Sequence, residues 1–310
     1  MAATNSGVEN KSQKPSRQSF QLFSSTDDSP NSNFGFGFFD ATQAPSVPLP
    51  ASTEVLPSEV SSSVKHNVES VTCDGVTLLK GRVNTHEVFG LSNSDLVPGK
   101  YEGGLKLWEG SLDLIRALNS DIRSGHISFV GKRVLEVGCG HGLPGIFALL
   151  KGAAIVHFQD FNAEVLRCVT IPNLNANLSK ESHPSSDKIT CEKANARFFA
   201  GDWSEVDKLL PHVSNNSEEK QSYIWVYLCA CIFLMIYIGF AHLFVFHKQC
   251  LHHPDGVVYM AAKKYYFGVG GGSRRFLSAV EKDGVMTSSL VAEIADGSSN
   301  VREVWKLSFK

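Results

Sequence analysis

Apolar and polar positions along the 310-residue chain fall into distinct regimes. Up to about Val64 there is little periodicity, and Ser, Asn, Pro and Thr dominate. Regular patterning is faint near Val71 and clear from Tyr101 onward. Leu107, Trp108, Leu112, Ile115 and Leu118 recur at helical spacing, which predicts a helix over Leu105 to Leu118. Arg133 to Val137 reads as a short buried strand, Gly138 to Gly142 as a loop and Leu143 to Leu150 as a helix. A second strand spans Ile155 to Gln159 and ends in Asp160. A helix follows over Ala163 to Asn177, interrupted at Pro172. The third strand, Ala196 to Ala200, leads into Gly201-Asp-Trp203 and a helix near Glu205 to Leu210. The chain closes with a strand from Gly256 to Ala261, a helix from Arg274 to Val280, and strands over Ser288 to Ile294 and Val301 to Phe309. Strands alternating with helices predict a doubly wound α/β sheet, with the final hairpin adding an antiparallel strand.

Composition adds boundaries to this pattern. The Ser- and Pro-rich start cannot bury enough apolar surface to offset chain entropy, so residues 1–64 read as a disordered tail and 65–310 as the folded domain. Within the tail, Phe34 to Phe39 is either a docking motif or a sticky patch, and composition favours the patch. A net charge of −2 leaves no basic footprint for direct nucleic-acid binding. The seven cysteines form no metal-binding or CxxC spacing, which points to reduced thiols in a cytosolic or nuclear setting and to no metal site.

The chemistry concentrates around Glu136-Val-Gly-Cys-Gly-His-Gly142. A glycine-rich turn between strand and helix lets the backbone approach a ligand closely. Gly140 to Gly145 also satisfies GxGxxG, so a nicotinamide dinucleotide is an alternative to S-adenosylmethionine. Glycines at Gly138, Gly140 and Gly142, the preceding Glu136 and the early-helix Pro144 favour the sulfonium nucleoside. Cys139 belongs to the loop by backbone approach rather than as a nucleophile. Asp160 ends the second strand, where an acid accepts both ribose hydroxyls, a device that dinucleotide enzymes share. Phe161 and Asn162 follow it directly. Asp202 and Trp203 follow the third strand, where an adenine edge and face would meet them; a tryptophan packed beneath the sheet is an equal reading. For Trp108, core packing is the commoner role of a helix-face aromatic.

Four strings, taken in order, resemble the eukaryotic protein-histidine N-methyltransferases. They are Tyr101-Glu-Gly-Gly-Leu-Lys-Leu-Trp-Glu109, His157-Phe-Gln-Asp-Phe-Asn162, Gly201-Asp-Trp-Ser-Glu205 and Lys264-Tyr-Tyr-Phe-Gly-Val-Gly-Gly-Gly272. The similarity covers about Val97 to Ser222 and Cys250 to Lys310. It implies a seven-strand class I (Rossmann-like) methyltransferase fold, S-adenosylmethionine as cofactor, and Trp108, Gly138, Gly140, Asp160 and Trp203 as cofactor contacts. It further implies methylation of histidine in a protein, a large-subunit ribosomal protein, in the cytoplasm or nucleus. Related enzymes methylate lysine, so that substrate is the nearest alternative. Gly268 to Gly272 would then shape a slot for the substrate peptide, or form an ordinary solvent loop. No general base is identified, and the oligomeric state is not encoded in these motifs.

One segment departs from the pattern. Tyr223 to Phe246 holds 24 residues without Asp, Glu, Lys or Arg. Its 13 Leu, Ile, Val and Phe residues would favour bilayer insertion by about −4 to −8 kcal/mol. Topology opposes a membrane span, because the fold needs a strand and a helix there. No carboxylate stands between Glu219 and Asp255, where the family carries an acidic motif. The abrupt join reads as a spliced or substituted segment, leaving an inactive or membrane-tethered form as an alternative.

Overall fold

The computed structural model describes residues 51–62, 64–91, 97, 99–181, 194–206, 209, 251, 254–265, 272–295, 297 and 301–310. The expectations for Phe34 to Phe39, for Tyr223 to Phe246 and for most of the Gly268 to Gly272 loop lie outside these residues.

The framework is a parallel sheet. Strands β4 (Arg133–Val137), β5 (Ile155–Asp160) and β6 (Ala196–Ala200) lie in the order β6-β5-β4, in parallel register from Arg133↔Ile155 and from Val156↔Ala196. All five residues of β4 are buried, as expected for a strand covered on both faces. β1 (Thr53–Val55) adds antiparallel to the free edge of β6. It lies inside the stretch 1–64 that composition assigned to the tail, so regular structure begins earlier than composition indicates. Three residues carry too little periodicity to announce a strand; pairing with β6 creates it.

A hairpin follows that the hydrophobic pattern barely marks. β2 (Asn67–Cys73) and β3 (Val76–Arg82) join through Asp74-Gly75, both at positive φ (48° and 77°), the geometry of a tight two-residue turn. After a short helix α1 (Thr85–Phe89), the segment 99–108 crosses the top of the sheet as a loop. The helix expected over Leu105 to Leu118 therefore starts later, as α2 (Glu109–Arg123), with Leu114, Ile115 and Leu118 in the core. Leu105 to Trp108 stay outside it. Gly103 and Gly104, poor helix formers, lie just upstream.

α3 (Leu143–Leu150) begins as expected, with Pro144 in its first turn. The helix after β5 runs as α4 (Ala163–Val165), a π-turn over Leu166–Thr170, and α5 (Ile171–Glu181). Pro172 has no N–H, and the chain meets that loss with a wider turn just before it instead of breaking. α5 then serves as a partner for β3. Asn177 exchanges hydrogen bonds with the Leu79 N–H and C=O, and Asn173 accepts from Gly81 N–H. α6 (Trp203–Val206) starts two residues ahead of its expected position.

At the C-terminal end, β7 (Val257–Lys263), α7 (Ser273–Asp283), β8 (Met286–Ile294) and β9 (Arg302–Phe309) follow the expected order. The sheet order is β7-β9-β8, all antiparallel. Leu135 and Val137 of β4 share an apolar cluster with Val258 and Met260 of β7, so one core spans both sheets. Among the described residues no helix is long and apolar enough to cross a membrane.

Candidate active site

The C-terminal ends of β4, β5 and β6 converge on one cleft. Its walls include Glu102, Gly138, Asp160, Phe161, Gly201, Asp202 and Trp203. The loop after β4 turns on Gly138, Gly140 and Gly142, at φ of 59°, 49° and 67°. Such angles are costly for residues with a side chain. Gly140 is also pressed against the crossing segment: a Cβ there would stand 3.0 Å from Gly104 O.

The loop's N–H groups decide what the cleft accepts. Gly138 N–H donates to Gln159 Oε1 (3.2 Å), Cys139 N–H to Gln159 O (2.8 Å) and Gly140 N–H to Asp160 Oδ2 (2.9 Å). In the first turn of α3, Pro144 has no N–H, and Gly145 N–H donates to Glu136 Oε2 at 2.6 Å. A pyrophosphate needs these donors free at the helix N-terminus. Here β5 takes the loop N–H groups of Gly138, Cys139 and Gly140, and the buried Glu136 carboxyl takes that of Gly145 in the first helical turn. Among the described residues the cleft wall carries three acidic side chains and two aromatic ones, and no Lys, Arg or His. The GxGxxG match therefore lacks the electrostatics of a dinucleotide site. An acidic, aromatic cleft suits a cationic nucleoside instead.

Burial sets the protonation of these acids. It pushes the Asp160 carboxyl up to about 6, against the opposing pull of N–H groups from Asn162, Gly140 and Phe161. Burial also raises Glu102, and raises Glu136 well above the ordinary carboxylate range. Two buried imidazoles near the sheet are held neutral. His141 falls to about 4 and His157 to about 3, in both cases chiefly through burial. His141 Nε2 lies 3.0 Å from Leu105 O, and Asn173 Nδ2 donates to His141 O at 3.0 Å, so this ring ties the loop to its neighbours.

The expected residues divide into groups. Gly138, Asp160, Phe161, Asp202 and Trp203 line the cleft together. Glu136, Cys139 and Gly142 support the loop from behind. Gly142 has no room for a Cβ, which would meet Thr170 Cγ2 at 2.8 Å. Asn162 clips the crossing segment down, accepting from Glu102 N–H at 3.1 Å and donating to Lys100 O at 2.9 Å. Trp108 is outside the cleft wall: its indole N–H donates to Gly103 O at 3.0 Å, and Lys106 Nζ sits 4.7 Å from its ring centroid.

Two residues that the sequence reading passed over belong here. Glu102 is buried in the wall and accepts from Gly99 N–H at 2.7 Å. Gln159, fully buried, holds three segments at once. Its Oε1 takes Gly138 N–H and Trp203 Nε1–H (3.0 Å), and its Nε2 donates to Gly201 O (2.9 Å). Its place in β5 next to Asp160 was the available signal. Amid an apolar strand a lone glutamine must satisfy its amide internally.

Comparison with known proteins fits this geometry. The chain is 40% identical over 220 residues to a histidine protein methyltransferase 1 homolog from Dictyostelium discoideum, covering 71% of this chain and 62% of that one. Identity is 36% over 219 residues to the Bos taurus homolog (66% and 56% covered) and 30% over 231 residues to the Saccharomyces cerevisiae protein (61% and 59%). The chain is a relative of the eukaryotic histidine protein methyltransferases. It spans less than two thirds of the length of these methyltransferase relatives. No family model matches the chain. Among solved structures, SMU.776, a methyltransferase crystallised with SAH, superposes with a TM-score of 0.50 at 14% identity. The overlap covers 78% of this chain and 56% of that one. The fold of this methyltransferase relative is the Rossmann-like class I methyltransferase fold.

Proposed function

We propose that this chain transfers a methyl group from S-adenosylmethionine to a histidine side chain of a protein. The observation that carries the reading is the internal capture of the loop's N–H donors, which leaves an acidic, aromatic cleft suited to a sulfonium nucleoside. Asp160 holds the ribose while its two oxygens also fix the backbone at Gly140 and Asn162. Phe161, Asp202 and Trp203 would hold the base, and Gly138 and Gly140 would allow close backbone approach. Glu136, Cys139, Gly142 and Asn162 keep that wall in shape, and Trp108 supports the segment that covers it. When bound, the cofactor supplies a methyl already activated by its sulfonium. The protein's task is then alignment and exclusion of water. Imidazole has an ordinary pKa near about 6.5, so close to neutrality one ring nitrogen offers its lone pair. That nitrogen would accept the methyl in place of the sulfur, and the proton on the other ring nitrogen would then be lost to water. A strong base is not required.

A large-subunit ribosomal protein is the proposed substrate, and with it a cytoplasmic or nuclear setting. The test is incubation of the full chain with methyl-labelled cofactor and isolated ribosomal proteins, followed by mapping of the labelled residue. Label on an imidazole nitrogen is expected. Label on lysine would move the enzyme to a different substrate class, and binding without any transfer would mark an inactive relative.

A further inference from the structure

The segment just ahead of the domain's first clear patterning closes over the outer side of the cleft. β1 pairs Thr53 with Ala200 and Val55 with Phe198, so it follows β6 directly to Gly201. Gly201 is at φ 136°, and a Cβ there would lie 2.8 Å from Ser52 Cα and Cβ. Ser52 Oγ is buried without a hydrogen-bond partner among the described residues. A second cavity adjoins the first through Phe161 and Gly201, and its wall includes Ala51 and Thr53 with Lys100, Asn162 and Arg167. Two ion pairs fasten the segment, the first bidentate and the second converging on one carboxylate oxygen. Arg197 Nε and Nη2 donate to Glu54 at 2.7 and 2.6 Å, and Arg167 Nε and Nη2 donate to Glu59 at 3.1 and 2.6 Å.

We infer that residues 51–59 form a strap that completes the base end of the nucleoside site, with Ser52 as a positioning residue at Gly201. This rests on the nucleoside reading proposed above. The strap is a wall rather than a tail: its pairing fixes Ser52 above Gly201, and its two arginine anchors come from β6 and from the helical turn after β5. Strap docking and nucleoside binding are therefore coupled. Whatever fills the space beside Phe161 and Gly201 is covered by the strap, and the strap gains contacts from it.

Two measurements on the full chain test this. Amide exchange across residues 51–59 should slow several-fold when SAH is added, and alkylation of the thiol introduced by Thr53→Cys, followed on its own peptide, should slow in parallel. Removing both anchors in Glu54→Ala/Glu59→Ala should weaken SAH binding by roughly three- to tenfold, the range for two partly exposed ion pairs. Exchanging the charges in Glu54→Arg/Arg197→Glu should recover affinity relative to Glu54→Arg alone. If the parent binds SAH while exchange and alkylation at the strap are unchanged, the strap role is overturned and the nucleoside reading stands. If the parent fails to bind SAH, both fall.

Discussion

Glu136 Oε2 lies 2.6 Å from the backbone N–H of Gly145, so the last acid of β4 reaches across the glycine loop to cap the helix beyond it. The two residues need each other. A Cβ on Gly145 would crowd both that oxygen and the Phe158 ring. The contact converts a loop that resembles a phosphate cradle into one closed to phosphate.

Replacing Glu136 separates its shape from its charge. Glu136→Gln retains an acceptor for Gly145 N–H, and its neutral amide avoids the burial penalty that raises the carboxyl. It should leave urea stability within about 1 kcal/mol of the parent. Glu136→Leu strands the Gly145 donor in the core and should cost about 1–3 kcal/mol. Neither variant should bind NAD, because the N–H groups of Gly138, Cys139 and Gly140 remain committed to β5; calorimetry with NAD and with SAH checks both halves.

The close approach of Gly104 to Gly140 predicts matched effects from two distant positions. Gly140→Ala must adopt φ near 49° and push against Gly104 O, while Gly104→Ala meets Val165 Cγ1 at 2.8 Å and Asp160 Oδ2 at 3.1 Å. Each should lower stability by about 1–3 kcal/mol. Each should also weaken SAH binding by about tenfold or more, since both displace the wall around Asp160. The double variant should depart from the sum, because the Gly104 Cβ crowds Asp160 Oδ2, the acceptor of Gly140 N–H, and the two sites are neighbours.

Asp160 should leave a signature in the pH dependence of the cofactor-free protein. Its folded pKa is about 6, above the unfolded value, so the folded state holds this proton more tightly. The stabilising contribution is complete below about pH 4 and is lost as pH rises through about 6, amounting to about 3 kcal/mol. Asp160→Asn removes that slope. Unfolding in urea at several pH values from 4 to 7 should show the parent losing stability relative to Asp160→Asn across this window. The same variant should bind SAH far more weakly, since one amide cannot accept from both backbone donors and two ribose hydroxyls.

The parallel frame was legible because β4, β5 and β6 are short apolar runs ended by Glu136-Val-Gly, Asp160 and Gly201-Asp, and their bounds match closely. The β2–β3 hairpin carried its signal only in Asp74-Gly75, since six of the seven β2 residues are exposed or half-exposed on a polar background. β1 carried none, because a three-residue strand exists only through its pairing with β6. Of the residues singled out by backbone geometry or strand position, Gly138, Asp160, Phe161, Asp202 and Trp203 come together in the cleft wall. Trp108 stands apart from them, its ring turned toward Gly103 and Lys106, which depends on the tertiary path of its loop. Glu102 and Gln159 escaped for the same reason. Their roles are tertiary, assembled from segments well separated along the chain.

Gln159 offers the sharpest test of that assembly, because its two ends do different work. Oε1 receives donors from the glycine loop and from Trp203, while Nε2 holds Gly201 O on the third strand's exit. Gln159→Leu leaves two buried donors and one carbonyl unmet, and should cost about 2–5 kcal/mol with loss of SAH binding. Gln159→Glu keeps acceptors for both donors but sets a carboxyl against Gly201 O. In its neutral form the carboxyl can donate to that carbonyl; in its charged form it repels it. This variant should therefore approach parent stability at low pH and lose it as pH rises, while Gln159→Leu stays impaired throughout. Equal stability of the two variants at pH 5 would show that neither the loop acceptor nor the link to Gly201 matters to the core. Chemical unfolding at pH 5 and pH 8, paired with SAH calorimetry at both, distinguishes these outcomes.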